Sequence, residues 1–236
     1  MALAQSPYGK FWYYEPDCIG KEVARGIFVD EWLRSYMDGL HVDRVFIDIG
    51  ASIGFYTVYM SKRGVKVHAF EASPEVFDLL RRNVEMNQCE GVSLYNEALF
   101  DSEKELWLER KLNNYPVTED GKIDYEHTGN SAVLCLVPKE SGEQLPGYNF
   151  VTRTLDSFKL DAGLIKVDTQ GADLRILHGA EKTIKKCRPV VLFEHEPELL
   201  KYHNDNFDGF IKFFDSLGYS KPRYLGGVDY VAVPEG

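Results

Sequence analysis

The chain has few cysteines and none that pair. Among its 236 residues there are four, Cys18, Cys89, Cys135 and Cys187, far apart and without a C-x-x-C. No disulfide framework is expected, and the set reads as reduced thiols of a cytosolic, cytoplasmic protein. Long apolar runs are missing too. None approaches the ~18–20 residues a bilayer-crossing helix needs, so no membrane segment is expected. Met1 to Pro7 has neither a basic start nor an apolar stretch, so no secretory signal is expected. Positive charge is in deficit: the formal net charge is −10, which speaks against a broad phosphate-backbone surface. His41, His68, His127, His178 and His203 show no metal-ligand spacing, and no metal site is expected. Nothing in the composition speaks to oligomeric state.

The stretch Val45 to Val58 organises the chain. An apolar run, Val45-Phe46-Ile47, ends on Asp48. The turn Gly50-Ala51-Ser52-Ile53-Gly54 follows, and Phe55 to Arg63 reads as a helix stopped by Gly64. A strand that turns at glycine into a helix aims backbone N–H groups at a ligand. Val65–Phe70 and Val92–Tyr95 read as further strands. Between them lies a helix begun by Ser73-Pro74-Glu75, with serine as cap, proline at the first position and an acid in the first turn. Leu164–Val167 and Pro189–Phe193 are strands separated by a helical run, Asp173–Lys186, broken near Gly179. Phe207–Leu217 is a helix closed by Gly218. Tyr219–Leu225 and Val228–Val233 form a hairpin around Gly226-Gly227. This pattern predicts a single α/β domain over residues 1–236: a Rossmann-like, mostly parallel sheet of about seven strands, a C-terminal antiparallel hairpin, and helices on both faces.

Two segments lie outside that pattern. Residues 1–44 read as an N-terminal cover. Its aromatic run Tyr8–Tyr14 packs over the domain edge or forms a lid, and a helix near Gly26–Met37 has Asp30 as N-cap. Between Arg110 and Asn149 the regular pattern breaks, and only Ser131–Val137 looks like a strand. Residues 110–149 are expected to be an insertion over the substrate site.

Every core strand ends on polar or acidic residues: Asp48, Glu71, Asn96-Glu97, Asp168 and Glu194-His195. In open α/β sheets, ligands bind at that edge. Glu71 lies 21 positions after Gly50, the spacing at which an acid accepts both hydroxyls of an adenosine ribose. The turn lacks the G-x-G-x-x-G spacing that lets backbone meet a pyrophosphate, which disfavours a nicotinamide dinucleotide. Asp48 just before the turn suits a cationic ligand, and S-adenosylmethionine carries both an ammonium and a sulfonium.

At these residues the chain resembles the FkbM family of S-adenosylmethionine-dependent methyltransferases, within the class I methyltransferase fold. The matches are Phe46 to Thr57, Ala69 to Pro74, Asn83 to Asn87, Asn96 to Leu99, Thr154 to Asp156, Ile165 to Asp173, Ile176 to Ala180, Arg188-Pro189 and Phe193-Glu194. The resemblance implies that the loop from Asp48 to Gly54 (Gly50, Ala51, Ser52, Ile53) holds the methionine part of the cofactor. It implies that Glu71, with Ala72 next to it, holds the ribose, that Asn96, Glu97 and Ala98 flank the adenine, and that Asp168 sits near the methyl group. It also suggests an oxygen acceptor on a small molecule or sugar. Two positions depart from the family pattern: Ala72 stands where proline is usual, and Gln170 where an acid is usual. A hydroxyl acceptor needs a base, and the candidates at this edge are His195, Glu194, Asp168 and Lys166. Two other activities stay open, an RNA 2′-O-methyltransferase and a non-catalytic S-adenosylmethionine-binding protein. A dehydrogenase is a more distant third.

Overall fold

The computed structural model describes residues 1–109, 116–119, 122–128, 135–141 and 143–235. An N-terminal hairpin, β1 (Ala2–Ser6) and β2 (Gly9–Tyr13), leads through α1 (Cys18–Ala24) and α2 (Glu31–Asp38) to β3 (Val45–Ile49). Then follow α3 (Phe55–Lys62), β4 (Val67–Phe70), α4 (Pro74–Met86), β5 (Val92–Tyr95), β6 (Ala98–Leu99), β7 (Glu105–Glu109), β8 (Leu136–Val137) and β9 (Gln144–Arg153). The chain continues with β10 (Ala162–Val167), α5 (Asp173–Gly179), α6 (Glu181–Cys187), β11 (Val190–Glu194), α7 (Pro197–Leu200), α8 (Phe207–Ser216), β12 (Arg223–Gly226) and β13 (Asp229–Ala232).

The main sheet has seven strands in the order β12-β13-β11-β10-β3-β4-β5. β11, β10, β3, β4 and β5 run parallel, and β13 pairs antiparallel with both β11 and β12. Both faces are covered, so the central strands are apolar on alternate sides. Ile47, Ile165, Val167, Val191 and Phe193 enter one core cluster with α5, α6 and α8. Phe46, Val67, Ala69, Leu164, Leu192 and Val231 enter the other, with α2, α3, α4 and the N-terminal hairpin. Burying one such side chain contributes about 1.5–3 kcal/mol, so the two clusters hold the sheet edge rigid where the functional groups sit.

The sequence signals at the helix ends act as expected. Ser73 caps α4, its Oγ accepting from Val76 N at 3.3 Å. Gly64 has φ 80°, the left-handed turn that ends α3, and the break between α5 and α6 falls at Ala180. Asp30 does occupy the N-cap position of α2, but its side chain makes no cap bond. The aromatic N-terminal run packs over the domain edge as a strand. Trp12 N donates to Asn83 Oδ1 at 2.6 Å, and the Asn83 amide donates in turn to Trp12 O and Ile53 O. One buried asparagine of α4 thus ties the hairpin to the glycine turn.

The expectation of irregular chain up to Asn149 needs correction. β9 already begins at Gln144 and joins a second sheet of order β6-β9-β7-β8. Glu109 faces Gln144 while Trp107 faces Asn149, so residues 145–148 of β9 bulge opposite one residue of β7. Pro146 and Gly147 lie in this bulge, where the ladder is open and a missing N–H costs nothing. That is why turn-type residues concealed a strand. Of the strand expected at Ser131–Val137, β8 is seen at Leu136–Val137, and residues 131–134 lie outside the described residues. No helix among the described residues is long and apolar enough to cross a membrane.

Candidate functional site

The carboxyl edge of the main sheet opens on a cavity of about 940 Å³ of empty volume, counting its solvent-open part. The glycine turn forms its floor. Gly50 (φ 76°) is required twice over. Its backbone is left-handed, and a Cβ there would fall 1.8 Å from Asp168 O. β3 and β10 are bonded side by side at this point, Asp168 N donating to Ile49 O at 3.1 Å. Gly50 N and Ala51 N both donate to Phe70 O of β4, so the turn is fixed to both neighbouring strands.

Glu71, at the end of β4, is buried and lines the cavity. Its Oε2 accepts from Ser52 N at 3.0 Å and its Oε1 from Ser73 N at 2.9 Å. Burial pushes its carboxyl up to about 7, against those two N–H bonds. A carboxylate offers about four acceptor sites, so each oxygen keeps room for a hydroxyl. Ala72, Glu97 and Ala98 line the cavity alongside it. Asn96 does not. Its amide donates to Glu71 O and Ala72 O and holds that corner in place. Asn96, Glu97 and Ala98 line an adjoining hollow, walled by residues Pro146–Val151 of β9.

At the β10 end, Lys166 and Asp168 both line the cavity, the lysine ammonium 2.6 Å from Asp168 Oδ2. Lys166 is 3% exposed. Burial works against its charge, but Asp168, Asp48 and Glu194 outweigh it and hold its pKa above the ordinary lysine value. Burial works to raise the Asp168 carboxyl, but Lys166, Glu194 and Gln170 together outweigh it and keep that carboxyl below the usual range. Glu194 stands behind the wall. Burial, then the negative charge of Asp168, lifts its carboxyl well above the ordinary value. Gln170 bridges the two acids, its Nε2 lying 3.5 Å from Asp168 Oδ1 and 3.3 Å from Glu194 Oε2.

Asp48 and His195 do not reach the cavity wall either, and Gly54 is not among the residues that line it. Asp48 is wholly buried on the α3 side of β3. Its Oδ2 accepts from Thr57 Oγ1 at 2.6 Å, and its Oδ1 has no partner. His195 lies among aromatic rings, 4.8 Å from Phe207 and 5.9 Å from Tyr230 between ring centres. Burial lowers its pKa. Its position follows from strand parity: Glu194 ends β11 on one side and the next residue turns to the other. Gln170, noted in the sequence only as a departure, and Asp30 and Tyr56, read there as a cap and a helix residue, are all at the cavity. Their placement depends on contacts with segments far away in the chain, which no local spacing reveals.

The residues present fit an adenosyl sulfonium cofactor. The turn approaches its neighbours so closely that only glycine fits at Gly50. Ser52 Oγ, at the wall, has no hydrogen-bond partner among the described residues, and Glu71 keeps free acceptor sites on both oxygens. Among the described residues, no group of three or more His, Cys, Asp or Glu is placed to hold a metal ion.

The buried acids set the pH response of the ligand-free chain. Burial also pushes Asp173 and Asp229 up to about 7, and it lowers His203 to about 4. Glu71, Asp173 and Asp229 bind protons more tightly folded than unfolded, so their contribution is present at low pH and lost as pH rises through 7. His203 acts oppositely, and its contribution is lost as pH falls from about 6.5 towards 4. Between pH 8 and pH 6 the carboxyls prevail, and the chain is expected to gain about 2–3 kcal/mol. Urea melts at the two pH values measure this. A midpoint that is lower at pH 6 contradicts it.

The sequence profile of the Methyltransferase FkbM domain matches residues 48–221. Methyltransferase sdnD of Sordaria araneosa is 29% identical over 172 residues, covering 64% of this chain and 66% of that protein. Methyltransferase 1 of Beauveria bassiana (strain ARSEF 2860) is 24% identical over 147 residues, covering 59% of each. These matches thus span somewhat under two thirds of the two relatives' lengths. The crystal structure of Methyltransferase FkbM from Methylobacillus flagellatus KT superposes with a TM-score of 0.52 at 16% identity, over 83% of this chain and 45% of that one. The likeness bears out the class I methyltransferase fold that the resemblance implied. By the extent of the profile match and the order of its strand-end residues, the chain belongs to the FkbM methyltransferase domain family.

Proposed function

We propose that the chain is an S-adenosylmethionine-dependent methyltransferase that acts on a hydroxyl of a small molecule or sugar. The observation that carries this is the single cradle made by the Gly50–Gly54 turn and Glu71, joined by the bond from Ser52 N to the Glu71 carboxylate. When bound, the cofactor supplies an electrophilic methyl group on a sulfonium sulfur. In this reading Gly50, Ala51, Ser52, Ile53 and Gly54 hold its amino-acid end and Glu71 its ribose hydroxyls. Ala72, Glu97 and Ala98 flank its adenine. Asn96 supports that corner from behind, and Asp48 supports the turn from beneath.

A hydroxyl acceptor gives up its proton as its oxygen bonds to the methyl carbon. Asp168 is ionised beside Lys166 and lines the cavity, so it is the group assigned to receive that proton. Lys166 fixes the carboxylate, and Glu194, its own carboxyl held well above the ordinary value by burial and by Asp168, hydrogen-bonds it from behind. Acid and base roles separate here because the two environments push the carboxyl pKa values apart. His195 is given no part, because its ring does not line the cavity. The described lining residues carry four acids, Asp30, Glu71, Glu97 and Asp168, and one cation, Lys166. That balance supports a neutral or cationic acceptor over an RNA strand. Residues of the 1–44 cover (Ile19, Val29 and Asp30) and Leu136 of the 110–149 segment lie at the same wall, and these two segments are proposed to select the acceptor.

The test is thermal unfolding with added ligand. S-adenosylhomocysteine at one hundred times its dissociation constant is expected to stabilise the fold by about 2.7 kcal/mol, and NAD to leave it unchanged. Protection by NAD but not by S-adenosylhomocysteine would assign the cradle to a dehydrogenase.

A further inference from the structure

Asp30 occupies the N-cap position of α2, where an aspartate ordinarily turns back on the helix N–H groups and gains about 1 kcal/mol. Here it makes no such bond, and its backbone lies in the left-handed region at φ 55°. The carboxylate turns instead to Tyr56, whose hydroxyl lies 3.0 Å from Oδ2 and 3.1 Å from Val29 O and shares its proton between them, and it lines the same cavity as Gly50, Ser52, Lys166 and Asp168. Tyr56 is the second residue of the helix that the glycine turn opens, so the turn and Asp30 are held to one another. Tyr56 has one proton to give, and a carboxylate accepts about four hydrogen bonds.

Among the described residues, no cation at the cavity is free to serve Asp30. Among the described lining residues the sole cation is Lys166, which is engaged by Asp168. Burial raises the Asp30 carboxyl, and the Tyr56 hydrogen bond and Lys166 offset it only in part. A cationic group of a ligand reaching this part of the cavity would meet a carboxylate that no lysine or arginine among the described lining residues pairs with. Position says which part of the ligand. In the sheet, β3 carries the turn and stands between β10 and β4. Glu71 lies on the β4 side, whereas Asp30 feels the charges of Lys166 and Asp168 on the β10 side. A ligand whose ribose rests on Glu71 extends across the turn towards Asp30 with its other end. In S-adenosylmethionine that end is an α-amino acid.

We propose that Asp30 is a cofactor-binding residue that takes the α-ammonium group of S-adenosylmethionine, with Tyr56 orienting its carboxylate. This rests on the reading of the cavity as a site for that cofactor. It gives the N-terminal cover a part in holding the cofactor as well as in enclosing it.

The test compares two probes by calorimetry. S-adenosylhomocysteine carries the amino-acid end; 5′-methylthioadenosine has the same nucleoside and sulfur without it. Asp30→Asn removes the charge, tolerates the left-handed backbone and still accepts from Tyr56. The variant is expected to bind S-adenosylhomocysteine at least tenfold more weakly and 5′-methylthioadenosine within twofold of the unaltered chain. Unchanged affinity for S-adenosylhomocysteine overturns the assignment. So does an equal loss for both probes, which would mark Asp30 as structural. If the unaltered chain binds neither probe, it is the cofactor reading itself that fails.

Discussion

Glu71→Ala is expected to weaken S-adenosylhomocysteine binding at least a hundredfold. Two ribose hydroxyls donating to one buried carboxylate are charge-assisted bonds worth about 1.5–3 kcal/mol each. Both are lost together, and the vacated corner leaves Ser52 N and Ser73 N without their acceptor. The loss of those N–H contacts loosens the turn, which adds to the effect on binding. A near-isosteric control, Glu71→Gln, keeps the shape and one acceptor oxygen. The raised carboxyl adds a second signature. With the folded pKa at about 7, ligand binding that needs the ionised form weakens as pH falls. From pH 8 to pH 6 the unaltered chain is expected to lose about tenfold in affinity, and Glu71→Gln to show a flat profile. Calorimetry at both pH values reads both effects. Affinity within a few fold of the unaltered chain in Glu71→Ala would remove this residue from the cofactor site.

Lys166→Met carries the second large effect, on stability. Lys166 is the buried cation shared by Asp168, Asp48 and Glu194, and its ammonium also sits 4.7 Å from the centre of the Tyr56 ring. Methionine fills much of the same space. What it cannot do is balance the charge. Breaking a buried pair by removing one partner costs about 3–5 kcal/mol, because the remaining charge stays buried. Here that charge is on carboxylates, which can be neutralised by protons. Without Lys166 the folded pKa of Asp168 rises above its unfolded value, so the variant regains stability as pH falls. The expected result is a loss of about 3–5 kcal/mol at pH 8 and clearly less at pH 6. Urea midpoints at the two pH values measure it. An unchanged midpoint at pH 8 would mean that the acids at this edge are already balanced by something other than Lys166.

The two substitutions separate two jobs at one sheet edge. Glu71 faces the cavity, and its loss is expected to be read in affinity. Lys166 holds together a group of acids, and its loss is read in stability. Asp48 belongs with the second set, although its place before the glycine turn suggested direct contact with a cationic ligand. Its carboxylate points to Thr57 beneath the wall. In a buried strand every residue faces one of two packed sides, and parity sends Asp48 to the α3 side with Phe46 while Ile47 and Ile49 face the other.

Much of the architecture was fixed by local pattern. Apolar runs of four to six residues ending on acids, glycines at the stops and a Ser-Pro-acid helix start identified the seven-strand sheet, its parallel core and its antiparallel final pair. These signals work because strand parity, capping and left-handed glycine turns act within a few residues of one another. Glu71 and the Gly50–Gly54 turn were found for the same reason: their spacing is set by one strand, one turn and one helix. The second sheet escaped because Pro146 and Gly147, residues that ordinarily end a strand, sit in a bulge whose ladder partners come from β7, some forty residues earlier.

The sequence by itself determined the order along the chain of the main sheet's strands and helices, the glycine turn, the row of acids along one edge, and hence the family. Only the tertiary structure decided which of those acids face the cavity. Asp30 reaches it through Tyr56, Gln170 links Asp168 to Glu194, and His195 turns away into an aromatic cluster. The physical reason is range. Secondary structure and its punctuation follow from neighbours along the chain. The direction of a side chain beyond a strand end, and the charge it meets there, follow from segments brought together by packing.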